Sequence, residues 1–135
     1  CARRSPSPSA HADIRTRTHA GVAILENTRV AGVATMVKHQ HERWDGGGWP
    51  EGLSGTDIPL GSRILAACDV MHLLLIGDEV HPALPLAQAM EAFTREAGTS
   101  LDPEIVRVLG RVLSDGVLAD EMPETASAGA SSRSA

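Results

Sequence analysis

Twelve residues, His39-Gln-His-Glu-Arg-Trp-Asp-Gly-Gly-Gly-Trp-Pro50, concentrate much of the reactive chemistry of this chain. His41, Glu42 and Asp45 are candidate metal ligands or proton-transfer groups, because imidazoles and carboxylates hold divalent ions and move protons near neutral pH. Gly46, Gly47 and Gly48 let the backbone take positive φ and approach a ligand closely. Trp49-Pro50 adds a rigid apolar lip. A second candidate is Asp69, which falls in the middle of the most apolar stretch. An unpaired carboxylate buried there would cost several kcal/mol, on the order of the penalty for a buried ion. It therefore needs a metal, water, or a cation such as Arg43 or Arg63. Glu42 and Asp45 also have the spacing of an acid/base pair, although acids after a helix end more often form turns. No nucleophile elbow, phosphate-binding loop, zinc ribbon or dinucleotide fingerprint accompanies these groups.

The elements that must position them read as helices. Asp13 can cap a first helix from Ile14 to about Glu26, and Thr28 a second reaching His41, with Val30, Val33, Met36 and Val37 at helical spacing. Residues 44–60 contain five glycines and two prolines and are expected to be loop. A third helix from Leu60 to Ile76 has little polar surface and should be the buried centre, with Gly77 ending it. Pro85 opens a fourth, to about Ala97, and Asp102-Pro103 starts a fifth that ends near Gly116. Five helices and no convincing strand make an all-α bundle.

Bulk properties narrow the classes. A chain of 135 residues holds one domain at most. Residues 1–12 and 117–135 are rich in Ser, Ala and Pro and are expected to be disordered tails, leaving 13–116 as the helical domain. With Trp44, Trp49 and Phe93 as its aromatic residues, the core must be aliphatic. A net charge of −5 offers no general attraction for a nucleic acid polymer or an anionic membrane. No apolar run is long enough for a membrane span. Cys1 and Cys68 do not form a disulfide framework, which suits the cytoplasm. A start at Cys1 suits a fragment, with lipidation of that cysteine as the rival account.

The run from His39 to Pro50 resembles the signature of the HD-GYP family, bacterial metal-dependent phosphodiesterases of cyclic di-GMP, which reads His-His-Glu-Arg-Trp-Asp-Gly-x-Gly-Tyr-Pro. Gln40 stands at the first histidine and Trp49 at the tyrosine. The run from Glu51 to Asp69 is similar to the family's Gly-Leu-x-Gly-x-x-Ile-Pro-x-x-Ala-Arg-Ile-Leu-x-x-Ala-Asp. Gly98-Thr-Ser-Leu-Asp-Pro103 resembles its turn before the last helix, and Ile14-Arg-Thr-Arg-Thr-His-Ala-Gly21 an earlier Ile-Arg-Thr-His-Thr-x-x-Gly. The resemblance extends over residues 14–113 in order, and implies the C-terminal part of an HD-superfamily helical domain without the His-Asp helix.

What the resemblance implies for the site is mixed. Family chemistry is phosphodiester hydrolysis at two or three divalent ions such as Fe or Mn, held by an upstream His-Asp pair, a separate histidine, the adjacent histidines and a late aspartate. His41 matches the second adjacent histidine and Asp69 the late aspartate. Arg17 falls at the separate histidine. His39 and His72 are reserve candidates: His39 is about 100° around a helix from Gln40, and His72 lies one turn after Asp69. The family's cationic Asp-Arg-Pro-Tyr-Arg segment corresponds to the acidic Gly77-Asp-Glu-Val-His81. The expectation is an impaired or inactive signalling module that does not retain its metals. Cyclic di-GMP is the candidate ligand, and protein partners at the signature loop (Glu42, Asp45, Gly46, Gly48, Trp49, Pro50) and self-association are further candidates. The alternatives are an active phosphodiesterase completed by upstream residues of a longer parent, and a generic helical interaction domain.

Overall fold

The computed structural model describes residues 8–26 and 30–115. Among them are five α-helices: α1 (Pro8–Glu26), α2 (Ala31–Lys38), α3 (Leu60–Ile76), α4 (Leu86–Arg95) and α5 (Pro103–Ser114), with a 3-10 turn at Gly55–Asp57. Two isolated bridges, Gly77 to Pro82 and Ala97 to Leu101, are the extended pairings among these residues. The all-α expectation holds.

Boundaries moved where the chain continues to find backbone partners. The first helix begins at Pro8, so Asp13 lies inside it rather than at its cap, and residues 8–12 belong to the helix and not to a tail. Residues 1–7, the Thr28 cap and the expected tail at 117–135 lie outside the described residues. α2 stops at Lys38 because His39 leaves helical ψ, and Glu42 N–H then turns back to the His39 carbonyl at 3.1 Å. α3 has the expected bounds. Gly77 ends it at φ +79°, and a Cβ there would lie 2.5 Å from the Ala83 nitrogen, so only glycine fits. α5 starts as its sequence demands: the Asp102 carboxylate accepts from Glu104 N–H at 2.8 Å, with Pro103 in the first turn.

The core is aliphatic with one aromatic centre. Ala67 and Met71 of α3 meet Ala89 and Phe93 of α4, with Leu101 and Val106 closing the cluster. Phe93 is fully buried, a burial that contributes roughly 2–3 kcal/mol. Leu74 and Leu75 pack against this cluster. The Leu73–Ile76 run is therefore half-buried up to its last residue, Ile76, which is 63% exposed. The other end of α3 departs from the expected buried centre. Leu60, Ile64 and Leu65 are exposed, as are Cys68, Asp69 and His72. α3 buries one face only.

Two contacts position the loop that follows α2. Ser62, fully buried, donates through Oγ to the Met36 carbonyl at 2.9 Å. Met36 also packs on Gly61, where any Cβ would meet its sulfur at 2.4 Å. The C-terminal end of α2 is thereby seated on the first turn of α3, while α1 packs chiefly on α2.

Candidate functional site

The signature loop is organised around a buried carboxylate. Glu42 is 4% exposed, and its side chain accepts three backbone N–H bonds: Glu51 at 2.7 Å, Gly52 at 3.1 Å and Leu53 at 3.1 Å. A charged acceptor with three donors recovers much of what it loses on leaving water. The same carboxylate holds residues 51–53 in place. Glu42 is thus neither solvated nor available for acid/base work. It is an internal staple.

Asp45 is also engaged, at the surface. Its carboxylate takes Arg43 Nε at 3.0 Å, Arg43 Nη2 at 2.7 Å and Gly47 N–H at 2.9 Å. The bond from Arg43, then that from Gly47, hold its pKa below the usual carboxylate value. The backbone is tied to the turn before α5, with Trp44 N–H on the Ser100 carbonyl at 3.2 Å and Asp45 N–H on that of Thr99 at 2.9 Å. The glycines answer to geometry. Gly46 has φ +83°, and a Cβ on Gly48 would lie 2.4 Å from Arg43 N and 2.6 Å from the His41 oxygen. Trp49-Pro50 is cis, and Pro50 is exposed.

Around Trp49 the loop meets the helices. The His41 ring stacks on the indole with centroids 4.4 Å apart and planes 19° apart. The Arg15 guanidinium of α1 lies 5.2 Å from the centre of the same ring system. Burial lowers the His41 pKa, and the negative charge of Asp69 opposes that shift. The fold therefore brings the two matched positions, on separate elements, into electrostatic range.

Asp69 itself corrects an expectation. It is exposed on α3, not enclosed among apolar groups. Neither proposed cation reaches it: Arg63 pairs with Asp102 at 2.7 Å and Arg43 with Asp45. Water access is what relieves the carboxylate. His72, one turn on, is exposed as well, which removes a packing role. His39 goes the other way. It is 7% exposed, its Nδ1 sits 3.7 Å from Glu42 Oε1, and that nitrogen makes no hydrogen bond. It turns into the loop beside Glu42. Gln40 is half-buried, and Arg17 is exposed and paired with Asp13 at 2.7 Å.

Fit to metal ions follows from this donor set. Among the described residues, no group of three or more His, Cys, Asp and Glu side chains could hold one. His41 and Asp69 make two donors, whereas each ion of a two-metal hydrolytic centre needs several protein ligands. The described residues do not fit a dinuclear centre. The acidic turn adds no cation: Asp78 accepts from Val80 N–H at 2.8 Å and His81 N–H at 2.7 Å, bonds that depress its pKa, and pairs with the His81 ring.

Arg15 was missed by sequence reasoning, which weighed only Arg17 in the Ile14–Gly21 segment. The available signal was spacing: two residues apart on a helix means about 200° of rotation, so the two arginines face different neighbours. Glu42 as a staple was also missed, although an acid preceding several free N–H groups in a glycine-rich loop is a natural acceptor.

Comparison with known proteins accords with this layout. An HD domain family model matches residues 3–105. A cyclic di-GMP phosphodiesterase response regulator of Xanthomonas campestris is 38% identical over 78 residues, 58% of this chain and 21% of that protein. A 3'3'-cGAMP-specific phosphodiesterase of Vibrio cholerae is 32% identical over 89 residues, 66% of this chain and 19% of that protein. The crystal structure of a cyclic GMP-AMP specific phosphodiesterase of V. cholerae superposes with a TM-score of 0.69 at 24% identity, covering 87% of this chain and 27% of that one. The chain thus spans about a fifth of the length of these two curated relatives. Among the described residues no helix is long and apolar enough to cross a membrane. With the signature loop, the late aspartate and the turn before α5 in their expected order on an all-α scaffold, the chain belongs to the HD domain family and is similar to its HD-GYP members.

Proposed function

We propose that this chain is a signalling domain of HD-GYP type in which phosphodiester hydrolysis is lost or strongly impaired, and that it acts by binding. The observation that carries the reading is the isolation of the His41 and Asp69 pair: Gln40 and Arg17 stand at two other ligand positions, and His39 is turned toward Glu42. Divalent ions such as Fe or Mn would supply hydroxide and charge neutralisation in the family chemistry. Two donors do not hold a pair of them. Cyclic di-GMP is the proposed ligand, protein partners are proposed at the signature loop, and a cytoplasmic location is proposed, which suits a free exposed thiol such as Cys68. Self-association through the exposed Leu60, Ile64 and Leu65 face belongs to the same reading. Sedimentation at micromolar concentration checks it.

The deciding experiment incubates the chain with cyclic di-GMP and Mn²⁺ or Fe²⁺ and separates the products by chromatography, alongside elemental analysis of protein purified without chelator. No linear dinucleotide or GMP, and less than one metal per chain, are expected. Turnover that vanishes in the His41→Ala, Asp69→Ala double variant would refute the reading.

A second reading rests on the retained proximity of His41 and Asp69. In a longer parent, upstream residues would add the missing donors and restore hydrolysis. Activity of the longer protein that is lost with His41→Ala would favour it.

A further inference from the structure

We propose that Arg15, seated on Trp49 beside His41, forms a metal-independent recognition site for a phosphodiester anion. The inference rests on the reading of this chain as a binding rather than hydrolytic domain, and it names the group that takes over part of the metals' role toward phosphate.

Pairing of the cations is the starting observation. Arg17, Arg43, Arg63, Arg95 and Arg107 each sit against a carboxylate: Asp13, Asp45, Asp102, Glu91 and Glu104 respectively. Lys38 pairs with Glu51 at 2.6 Å. Among the described residues, Arg15 and Arg111 have no acidic partner, and of these two Arg15 alone is placed over an aromatic ring. The Arg15 Cζ lies 5.2 Å from the ring centre, a cation–π distance. A guanidinium held in this way still carries the fork of N–H donors that matches two oxygens of a phosphate or carboxylate. The ring thus orients the cation without neutralising it.

The neighbours favour phosphate as the guest. His41 stacks on the same indole at 4.4 Å, so an imidazole and a guanidinium both border Trp49 of the signature loop. Trp49 itself is half-buried and already contacted by both groups, which leaves it poorly suited to stacking a nucleobase. Asp69 opposes an anion near His41. It is exposed, where solvent and salt screen it, so the anion is drawn to the Arg15 side of the lip. The Arg17–Asp13 pair, next on α1, is neutral as a unit.

Titration of the whole chain with cyclic di-GMP in excess EDTA, followed by calorimetry and by indole fluorescence, tests this. Binding is expected without metal, weakened tenfold or more by Arg15→Gln and less by Arg15→Lys, which keeps charge but loses the fork. Inorganic phosphate should compete and guanosine should not. Absence of binding in EDTA at millimolar nucleotide, or equal affinity of a folded Arg15→Gln chain, would overturn the site. Competition by guanosine would replace it with base stacking. If Arg15→Gln unfolds, a folded Arg15→Lys chain that binds as the unaltered chain does would overturn the fork. Hydrolysis under Mn²⁺ would refute the non-hydrolytic reading but leave this result standing, so the two failures are distinguishable.

Discussion

The signature loop and the outer face of α3 carry similar residue types and use them in opposite ways. In the loop, Glu42 is buried with three N–H donors, Asp45 holds Arg43, and His39 is turned inward. On α3, Cys68, Asp69 and His72 are exposed, and neither Asp69 nor His72 forms an ion pair among the described residues. The loop acids Glu42 and Asp45 serve as scaffold, while Asp69 and His72 stay exposed to solvent. Chemical type alone does not separate the two. What separates them is whether the local backbone presents unsatisfied donors within reach: a glycine-rich loop does, and the middle of a helix does not.

Substitutions should reproduce this contrast in stability. The largest effect is expected from Glu42→Ala, which leaves three N–H groups without their acceptor and should cost about 3 kcal/mol or more. Gly48→Ala should be comparable, at about 3 kcal/mol, because its Cβ would meet backbone of residues 41–43 that cannot move aside. Chemical denaturation measures both. A loss under 1 kcal/mol for either would mean that the loop is not internally stapled.

Asp102 extends the same logic to the base of the loop. It caps α5 and holds Arg63, which is itself largely enclosed. Asp102→Ala should cost about 2–3 kcal/mol through the lost cap and the stranded guanidinium. On the opposite side of the comparison, Asp69→Ala and His72→Ala should change stability by less than about 0.5 kcal/mol, as expected for exposed groups without structural partners. A larger loss at Asp69 would show that it is structural after all.

The smallest effect concerns pH. Asp45 has its pKa depressed in the folded chain by Arg43 and by Gly47 N–H. Its contribution is therefore present above the unfolded carboxylate pKa, near ~3.9, and is lost as pH falls through the lower folded value. The pair is substantially exposed, so screening keeps the effect to a few tenths of a kcal/mol. Comparing Asp45→Asn with the unaltered chain between about pH 2 and pH 5 checks the sign. The unaltered chain should lose the more stability on acidification.

Much of this molecule was legible in one dimension. Helix α3 has the bounds that its apolar run and Gly77 indicate, and α5 starts at Asp102-Pro103, because caps, proline and glycine act on the backbone within a few residues. Of the three adjacent loop glycines, Gly46 takes the positive φ that the run suggests, whereas Gly48 answers to a close backbone approach that only the fold reveals. The order of motifs likewise pointed to the family.

Tertiary structure alone decided which face of α3 is buried, and so that Asp69 meets water rather than Arg63 or Arg43. It also decided that Glu42 reaches the backbone of residues 51–53, that Arg63 crosses to Asp102, and that Arg15 of α1 rests on Trp49. Burial and partner choice depend on contacts between segments far apart in the chain. An apolar run that is hydrophobic nearly all round has no periodic signal to say which side its neighbours will cover.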